Sequence, residues 1–448
     1  MAEKLVGKRI KRNEDPRLLT GQALFVDDVE LPGMLHAAFL RSDFAHAIIN
    51  NIDTSEAKKR PGVWAVYTAE DMGDYWHPSD LLVPPPFAIE GAVFNEKTQV
   101  PMAKDKVRHS GEAIAVVIAE SRYLAEDALP YIIADLEPLP AVVDLEKALE
   151  SDSTLLYEDL GTNLAAHVKQ EKGSYAEAKE KADLVISRKI FVDRCASGAM
   201  ENRGLVVNWD EKTQHMDVWC TTQAPIPLRN NIAKSLGLAE HQVRAIAPFV
   251  GGGFGPKIML QQPDEVVLTW ASIQLKKPIK WIEDRREDFF ASTSERDQVH
   301  YSELAINKNG KIVGLKDVFF HDTGAYDSYG QTLTLNTMTH TMGPYVVPNF
   351  YTECKTVFTT KMLTSPVRGA GRPQGVYVME RLLDVAAKEL NIDPVEIRRR
   401  NLIQPDQFPY KTGIVGQDFV ENILDSGDYP SLLEKAVNTI EYDKFVKE

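Results

Sequence analysis

The sequence predicts an α+β chain of short buried strands, connecting helices and two glycine-containing loops, and three observations carry that prediction. Ala113–Ala119 reads Ala-Ile-Ala-Val-Val-Ile-Ala, with the length and composition of a buried strand. Asn307-Lys308-Asn309-Gly310 separates Tyr301–Ile306 from Ile312–Phe320, and Asn-Gly between two such runs is hairpin chemistry. Met379, Leu382, Leu383, Ala386 and Leu390 recur at three- and four-residue spacing, the apolar stripe of an amphipathic helix.

The remaining elements follow in order. A first segment from about Gly21 to Pro140 carries strand-like runs at Phe25–Val29, Leu35–Leu40 and Val63–Tyr67. Ser121–Tyr131 has helical spacing and Tyr131–Leu136 returns to strand. The proline-rich stretch from Trp76 to Asn95 reads as a long loop, and Leu136-Glu137-Pro138-Leu139-Pro140 as a stiff exit from the segment. Val143–Leu160 reads as a connector. Beyond it, Asp210–Gln214 separates Leu205–Trp209 from Met216–Cys220 as a second hairpin, and helices are expected at Pro227–Leu236 and Pro263–Leu275. Asp393-Pro394-Val395-Glu396 opens a last helix, with a side-chain acceptor at the N-cap and proline at the first helical position.

Composition narrows the function. The 448 residues suffice for two to four domains, and 51 basic against 65 acidic residues give a net charge of −14. That balance argues against nucleic acid or an anionic membrane surface as the main partner. No apolar run reaches the roughly 18 residues of a membrane span, and the N-terminus lacks a secretory core. Cys195, Cys220 and Cys354 are far apart and form no Cys-x-x-Cys pair, so an iron–sulfur cluster is expected on another chain. A cytoplasmic location is the expectation.

The most informative stretch is Phe249-Val250-Gly251-Gly252-Gly253-Phe254-Gly255-Pro256-Lys257. Few Cβ atoms and many accessible N–H groups let such a backbone approach a large polar ligand closely. It is not a P-loop, because Lys257 is followed by Ile258 rather than Ser or Thr. A dinucleotide fingerprint starting at Gly251 fails at Pro256, which disfavours an NAD-dependent dehydrogenase.

Several motifs in register resemble the molybdopterin-binding subunit of the xanthine oxidase family. They are Glu14-Asp15-Pro16-Arg17-Leu18-Leu19-Thr20-Gly21, Leu31-Pro32-Gly33-Met34-Leu35-His36, Arg41 to Ala47, Gly251 to Lys257, Arg368-Gly369-Ala370-Gly371-Arg372-Pro373-Gln374 and Asp393-Pro394 with Arg399-Arg400-Asn401. The resemblance implies an α/β hammerhead domain with an N-terminal arm at residues 1–140 and a first molybdopterin-binding α+β region at 141–448. It implies a molybdenum–pterin cofactor, as molybdopterin or molybdopterin cytosine dinucleotide, with the metal ligated by no side chain of this chain.

By the same resemblance, Gln223 donates to the apical oxo of molybdenum, an amide adding N–H donors without charge. Gly252, Gly253, Phe254 and Gly255 hold the cofactor, joined by Arg368, Gly369 and Ala370. Arg368 binds an anionic or carbonyl-bearing substrate or steadies the pterin. The plain alternatives are a tight turn for the glycines and ion pairs with Glu380 or Asp384 for Arg368 and Arg372. Lys257 after such a loop is often only solvated. Glu201 is either an acid near the site or a buried carboxylate fastening a loop. Cys195 reads as a small buried hydrophobe, and His36, His46, His300, His321 and His340 as satisfied polar residues rather than ligands.

The family's catalytic glutamate lies in a second half of the subunit that this sequence does not contain. The resemblance therefore implies a split subunit, as in nicotinate dehydrogenase, with the glutamate on a second molybdopterin-binding chain. A truncated chain is the alternative. FAD and 2Fe-2S clusters are implied on further subunits. Departures shape the pocket. Gly369 stands where carbon monoxide dehydrogenases carry a copper-binding cysteine. Ile258 stands where purine hydroxylases carry a glutamate, and Ala370 where they carry a stacking phenylalanine. An arginine expected on a strand before Gly343-Pro344-Tyr345 is replaced by the neutral region around Asn336. Ile258 and Met259 leave room for an apolar or heteroaromatic substrate, and Ile258, Asn336 and Ala370 are expected to line its pocket. The reading is a molybdenum hydroxylase acting on an N-heterocycle or aldehyde with water as oxygen source. The rivals are a non-catalytic cofactor carrier or assembly protein, and an enzyme resembling aerobic carbon monoxide dehydrogenase.

Overall fold

A computed structural model describes residues 4–258 and 262–446. The first segment contains α1 (Asp15–Leu19), β1 (Leu35–Arg41), β2 (Ala47–Asp53), β3 (Val63–Thr68), β4 (Val93–Phe94), β5 (Lys106–Val107), β6 (Ala113–Ala119), α2 (Arg122–Ala128) and β7 (Ile133–Pro138). Next come β8 (Leu164–Lys172), α3 (Tyr175–Glu180), β9 (Leu184–Val192), β10 (Gly204–Asp210), β11 (His215–Cys220), α4 (Pro225–Ser235) and β12 (Val243–Ile246). After the glycine loop lie α5 (Pro263–Leu275), β13 (Ile279–Ile282), α6 (Arg285–Ala291), β14 (Gln298–Ile306), β15 (Ile312–Gly324), α7 (Thr332–Thr341) and β16 (Phe350–Phe358). The chain continues through α8 (Arg372–Leu390), α9 (Pro394–Asn401), β17 (Tyr410–Val415), β18 (Glu421–Leu424), α10 (Tyr429–Thr439) and α11 (Tyr442–Phe445).

Two large sheets organise these elements. A seven-stranded sheet runs β12-β11-β10-β13-β1-β6-β3, so strands from before and after residue 140 share one hydrogen-bonded layer. The join is the parallel pair of β1 with β13, Leu35 opposite Ile279. Phe39, Ile118, Leu205, Met216, Ile232, Leu268 and Trp281 fill one buried cluster where this sheet meets α4 and α5. Each such side chain contributes on the order of 2 kcal/mol by leaving water. The six-stranded sheet runs β4-β8-β16-β15-β14-β9, and its apolar face packs Leu304, Leu315 and Phe350 against Val378, Leu382 and Ala386 of α8. Both predicted hairpins form, β10 with β11 and β14 with β15. Asp393 caps α9 through its side chain, which accepts from the N–H groups of Val395 and Glu396.

Three expectations give way. Phe25–Val29 is not a strand but a turn of 3-10 helix at Val26–Asp28, closed by the Asp28 carboxylate accepting from the Phe25 N–H at 2.8 Å. The stiff exit at Leu136–Pro140 is largely strand, because β7 pairs with β2 out to Pro138 opposite Ala47. β7 is the edge of its three-stranded sheet, where a missing N–H is tolerated. The region around Asn336 is helix α7, not strand. Its threonines carry β-branched strand propensity, but Thr337, Thr339 and Thr341 donate to the carbonyls of Leu333, Leu335 and Thr337 one turn back. Buried in that way, their hydroxyls suit a helix.

Candidate functional site

Gln223 leaves the end of β11 on a short connection into α4, where Pro225 takes the first helical position. The connection is sewn to the far side of the glycine loop: Gln223 N–H donates to the Lys257 carbonyl at 3.0 Å, and Thr222 Oγ1 donates to it at 3.3 Å. The side-chain oxygen of Gln223 accepts from the Gly255 N–H at 2.9 Å. Only the oxygen of an amide can meet an N–H, so this bond fixes the orientation of the side chain and leaves its NH2 for a second acceptor. Gln223 itself is exposed.

The glycine loop passes from β12 to α5 and is held at both ends. Gly251 N–H donates to the Glu201 carboxylate at 2.6 Å, and Phe249 N–H donates to the Leu24 carbonyl at 3.1 Å. Between those fastenings, the N–H groups of Gly252, Gly253 and Phe254 donate to no acceptor among the described residues. Gly255 has φ +116°, and a Cβ there would stand 1.8 Å from the Pro366 carbonyl oxygen. Only glycine permits that approach of two backbones.

Lys257 is not solvated. It is 6% exposed, and its Nζ donates to the Glu201 carbonyl at 2.8 Å and pairs with the Glu201 carboxylate at 3.6 Å. Burial pulls its ammonium below the ordinary lysine range, opposed by the Glu201 charge. Glu201 therefore ties the start and end of the loop together. Behind it, Arg203 bonds Asp264 at 2.7 Å and Glu283 at 2.8 Å in the interior. Glu265 lies beside them, buried, its carboxyl pushed up to about 8 by burial and by the neighbouring Asp264. The Cys220 thiol faces Glu265 at 3.6 Å and is itself driven upward by burial.

The second loop, Arg368-Gly369-Ala370-Gly371, lies directly against the first. Arg368 N–H donates to the Phe254 carbonyl at 2.7 Å. The Arg368 side chain is exposed, and the alternative of an ion pair with Glu380 or Asp384 is taken by Arg398 instead, at 2.7 and 2.8 Å. Arg372 Nη1 donates to the Gly369 carbonyl at 3.3 Å. Ala370 sits at φ +49°, its carbonyl accepting from Asn336 Nδ2 at 2.9 Å. Asn336 Nδ2 also donates to Gln417 at 3.0 Å, so this amide is buried behind the loop and engaged. Ile258 is half-buried at the end of the glycine loop, and Met259 lies outside the described residues.

Some contributors escaped sequence reasoning. Arg296 Nη2 donates to the Arg368 carbonyl at 3.0 Å, from a backbone with φ +77°, and Gln417 backs Asn336 from 81 residues away. Neither position carries a motif; only the fold brings them in. Cys195 is half-buried, contributing a backbone bridge to residue 295 rather than a packed thiol. The histidines are engaged elsewhere: His46 with the Pro140 carbonyl, His300 with Asp317, His321 with Gln298 and His340 with the Asn336 carbonyl. Among the described residues, no group of three His, Cys, Asp or Glu is arranged to hold a metal ion.

The result is an open face. Gln223, Phe254 and Arg368 stand exposed side by side along two loops joined backbone to backbone, with Phe254 42% exposed. The donor set comprises three free N–H groups, one amide NH2 and one guanidinium. Such donors suit a large ligand rich in negative or acceptor atoms and suit a bare cation poorly. A molybdenum–pterin group fits them.

The family profile for the molybdopterin cofactor-binding domain matches residues 156–402, and the aldehyde oxidase and xanthine dehydrogenase a/b hammerhead profile matches residues 20–140. The chain belongs to the xanthine oxidase family of molybdenum hydroxylases. Within that family it is a large, molybdopterin-binding subunit. It is 31% identical to the nicotinate dehydrogenase large molybdopterin subunit of Eubacterium barkeri over 98% of both chains. It is 35% identical to the carbon monoxide dehydrogenase large chain of Afipia carboxidovorans, covering 98% of this chain and 55% of that one. Quinoline 2-oxidoreductase from Pseudomonas putida 86 superposes with a TM-score of 0.90 at 32% identity, over 100% of this chain and 55% of its own. The chain thus spans about half the length of several of the relatives it matches. No helix among the described residues is long and apolar enough to cross a membrane.

Proposed function

We propose that this chain forms one side of the active site of a multi-chain molybdenum hydroxylase that oxidises an N-heterocycle or an aldehyde. Water supplies the oxygen, and the reaction releases two electrons and two protons. The observation that carries the reading is the open face, where cofactor-type donors stand exposed and uncovered by any of the described residues. When bound, the molybdenum–pterin group supplies the two-electron step.

This chain's residues bind and orient. The N–H groups of Gly252, Gly253 and Phe254 receive acceptor atoms of the cofactor. Gln223, aligned by Gly255, donates its NH2. Arg368 faces the substrate side, where a guanidinium recognises a carboxylate or carbonyl. Ile258 and Ala370 supply apolar wall. A second molybdopterin-binding chain closes the face and brings the catalytic glutamate, and 2Fe-2S and FAD subunits carry electrons away. The nicotinate dehydrogenase relative, matched over nearly its whole length, supports this division of labour.

The similarity to carbon monoxide dehydrogenase favours a second reading, but Gly369 opposes it. Its φ is +113°, and a Cβ there would stand 2.4 Å from Pro373, so this loop holds neither a sulfur ligand nor ready space for one. A non-catalytic carrier is disfavoured by the aligned Gln223 amide, which a carrier has no need to orient.

Molybdenum analysis of the native complex and of this chain purified alone tests the proposal. Stoichiometric metal in the complex, with a second molybdopterin-binding chain co-purifying, is the expected result. Full metal on the lone chain would refute the shared site, and a native complex without molybdenum would refute the hydroxylase reading.

A further inference from the structure

The second loop is held from behind by a residue to which no motif points. Glu295 is fully buried, and its carboxylate accepts from the Gly371 N–H at 2.7 Å through one oxygen and from the Val367 N–H at 2.8 Å through the other. Arg296 Nη1 adds a charged contact at 2.5 Å. Burial raises its pKa, opposed by Arg296, by the two N–H groups and by Gln374.

The surroundings fix Glu295 in turn. Its own backbone pairs with Cys195 in both directions, at 2.9 and 3.0 Å. Arg296 and Asp297 both have positive φ, +77° and +58°, a strained backbone for residues with a side chain. Asp297 is held there by Arg194 at 2.8 Å and Lys361 at 3.0 Å. That backbone reversal brings the Arg296 guanidinium onto Glu295 and the Arg368 carbonyl together.

We propose that Glu295 is the positioning residue of the second loop, taking its inward N–H groups and so fixing how Arg368 is presented at the site. Val367 and Gly371 give their N–H groups to Glu295, Arg368 to Phe254, Ala370 to Val367 and Arg372 to Gly369. Among the described residues only the Gly369 N–H is left. An anionic ligand therefore meets this loop through the Arg368 and Arg372 side chains, not through a nest of backbone amides. The role of Arg368 rests on the proposed function, whereas the hold of Glu295 on the loop does not.

The test uses the native complex carrying Glu295→Gln, with Ser365→Ala as control. Ser365 donates to Thr293 at 2.6 Å in the same interior but touches none of the loop N–H groups. Hydrogen exchange at Val367 and Gly371 should quicken roughly 10- to 100-fold in Glu295→Gln and stay unchanged in Ser365→Ala. The Mo(V) resonance of the reduced complex should shift only in Glu295→Gln. Unchanged exchange at both amides, or the same changes in Ser365→Ala, would overturn the assignment. Should Glu295→Gln fail to fold, Glu295→Asp keeps the charge but shortens the reach to both N–H groups; slow, wild-type exchange at Val367 and Gly371 would then overturn it. A complex without a Mo(V) signal would count against the hydroxylase reading alone, because exchange still decides the role of Glu295.

Discussion

The two loops of the open face look alike in sequence, each a run of glycines beside a basic residue, yet they use their backbones in opposite ways. The glycine loop is fastened at Gly251 and Gly255, and the three N–H groups between them meet no acceptor among the described residues. The arginine loop spends its N–H groups within the protein, those of Val367 and Gly371 on Glu295, and meets the ligand with side chains. Glycine content alone thus says where a backbone can bend sharply, not which way its donors point. That direction is set by the groups that fasten each loop, Glu201 and Gln223 for the first and Glu295 for the second.

The largest effect should come from the contact between the loops. In Gly255→Ala the new Cβ meets the Pro366 carbonyl, a backbone atom that cannot step aside, in a left-handed conformation. The expected cost is about 3 kcal/mol or more, with loss of most of the bound molybdenum. Gly369→Ala meets only the Pro373 ring, also at positive φ, and should lower melting temperature and metal content less. Equal losses in the two variants would erase the distinction drawn here.

Next in size is Gln223→Ala. The amide is exposed, so stability should change by only about 1 kcal/mol, while turnover of the native complex falls by a factor of roughly 100 as an oriented donor is lost. Steady-state kinetics with assembly checked by gel filtration would show this, and unchanged turnover would remove Gln223 from the site.

The smallest effect on the site itself concerns Glu265, behind the first loop. Its folded value of about 8 lies above the ordinary 4.5, so between those pH values the folded chain keeps a proton the unfolded chain gives up. Stability must therefore fall as pH rises through that window, by at most about 1.4 kcal/mol per unit from this group. Melting curves across it should be flatter in Glu265→Gln. A wild-type slope in the variant would show that Glu265 titrates normally.

Much of this was legible in the residues. The hairpins at Asp210–Gln214 and Asn307–Gly310, the α5 boundaries and the Asp393 cap are local chemistry, and local chemistry is written in consecutive residues. The glycine loop and Gln223 were legible through their motifs, and the structure brings them together through the Gly255 bond. What stayed hidden depends on long-range contact. Lys257 reads as a surface lysine until Glu201, 56 residues earlier, buries it. The Thr-rich α7 reads as strand until burial directs its hydroxyls to the preceding turn. Glu295 carries no pattern, since its partners lie 72 and 76 residues away.

Hydrogen exchange of the native complex, compared before and after removal of the cofactor, tests the central claim most directly. The account predicts that cofactor protects the amides of Gly252, Gly253 and Phe254 while those of Val367 and Gly371 are slow in both states. Cofactor-dependent protection at Val367 and Gly371, with none in the glycine loop, would contradict it.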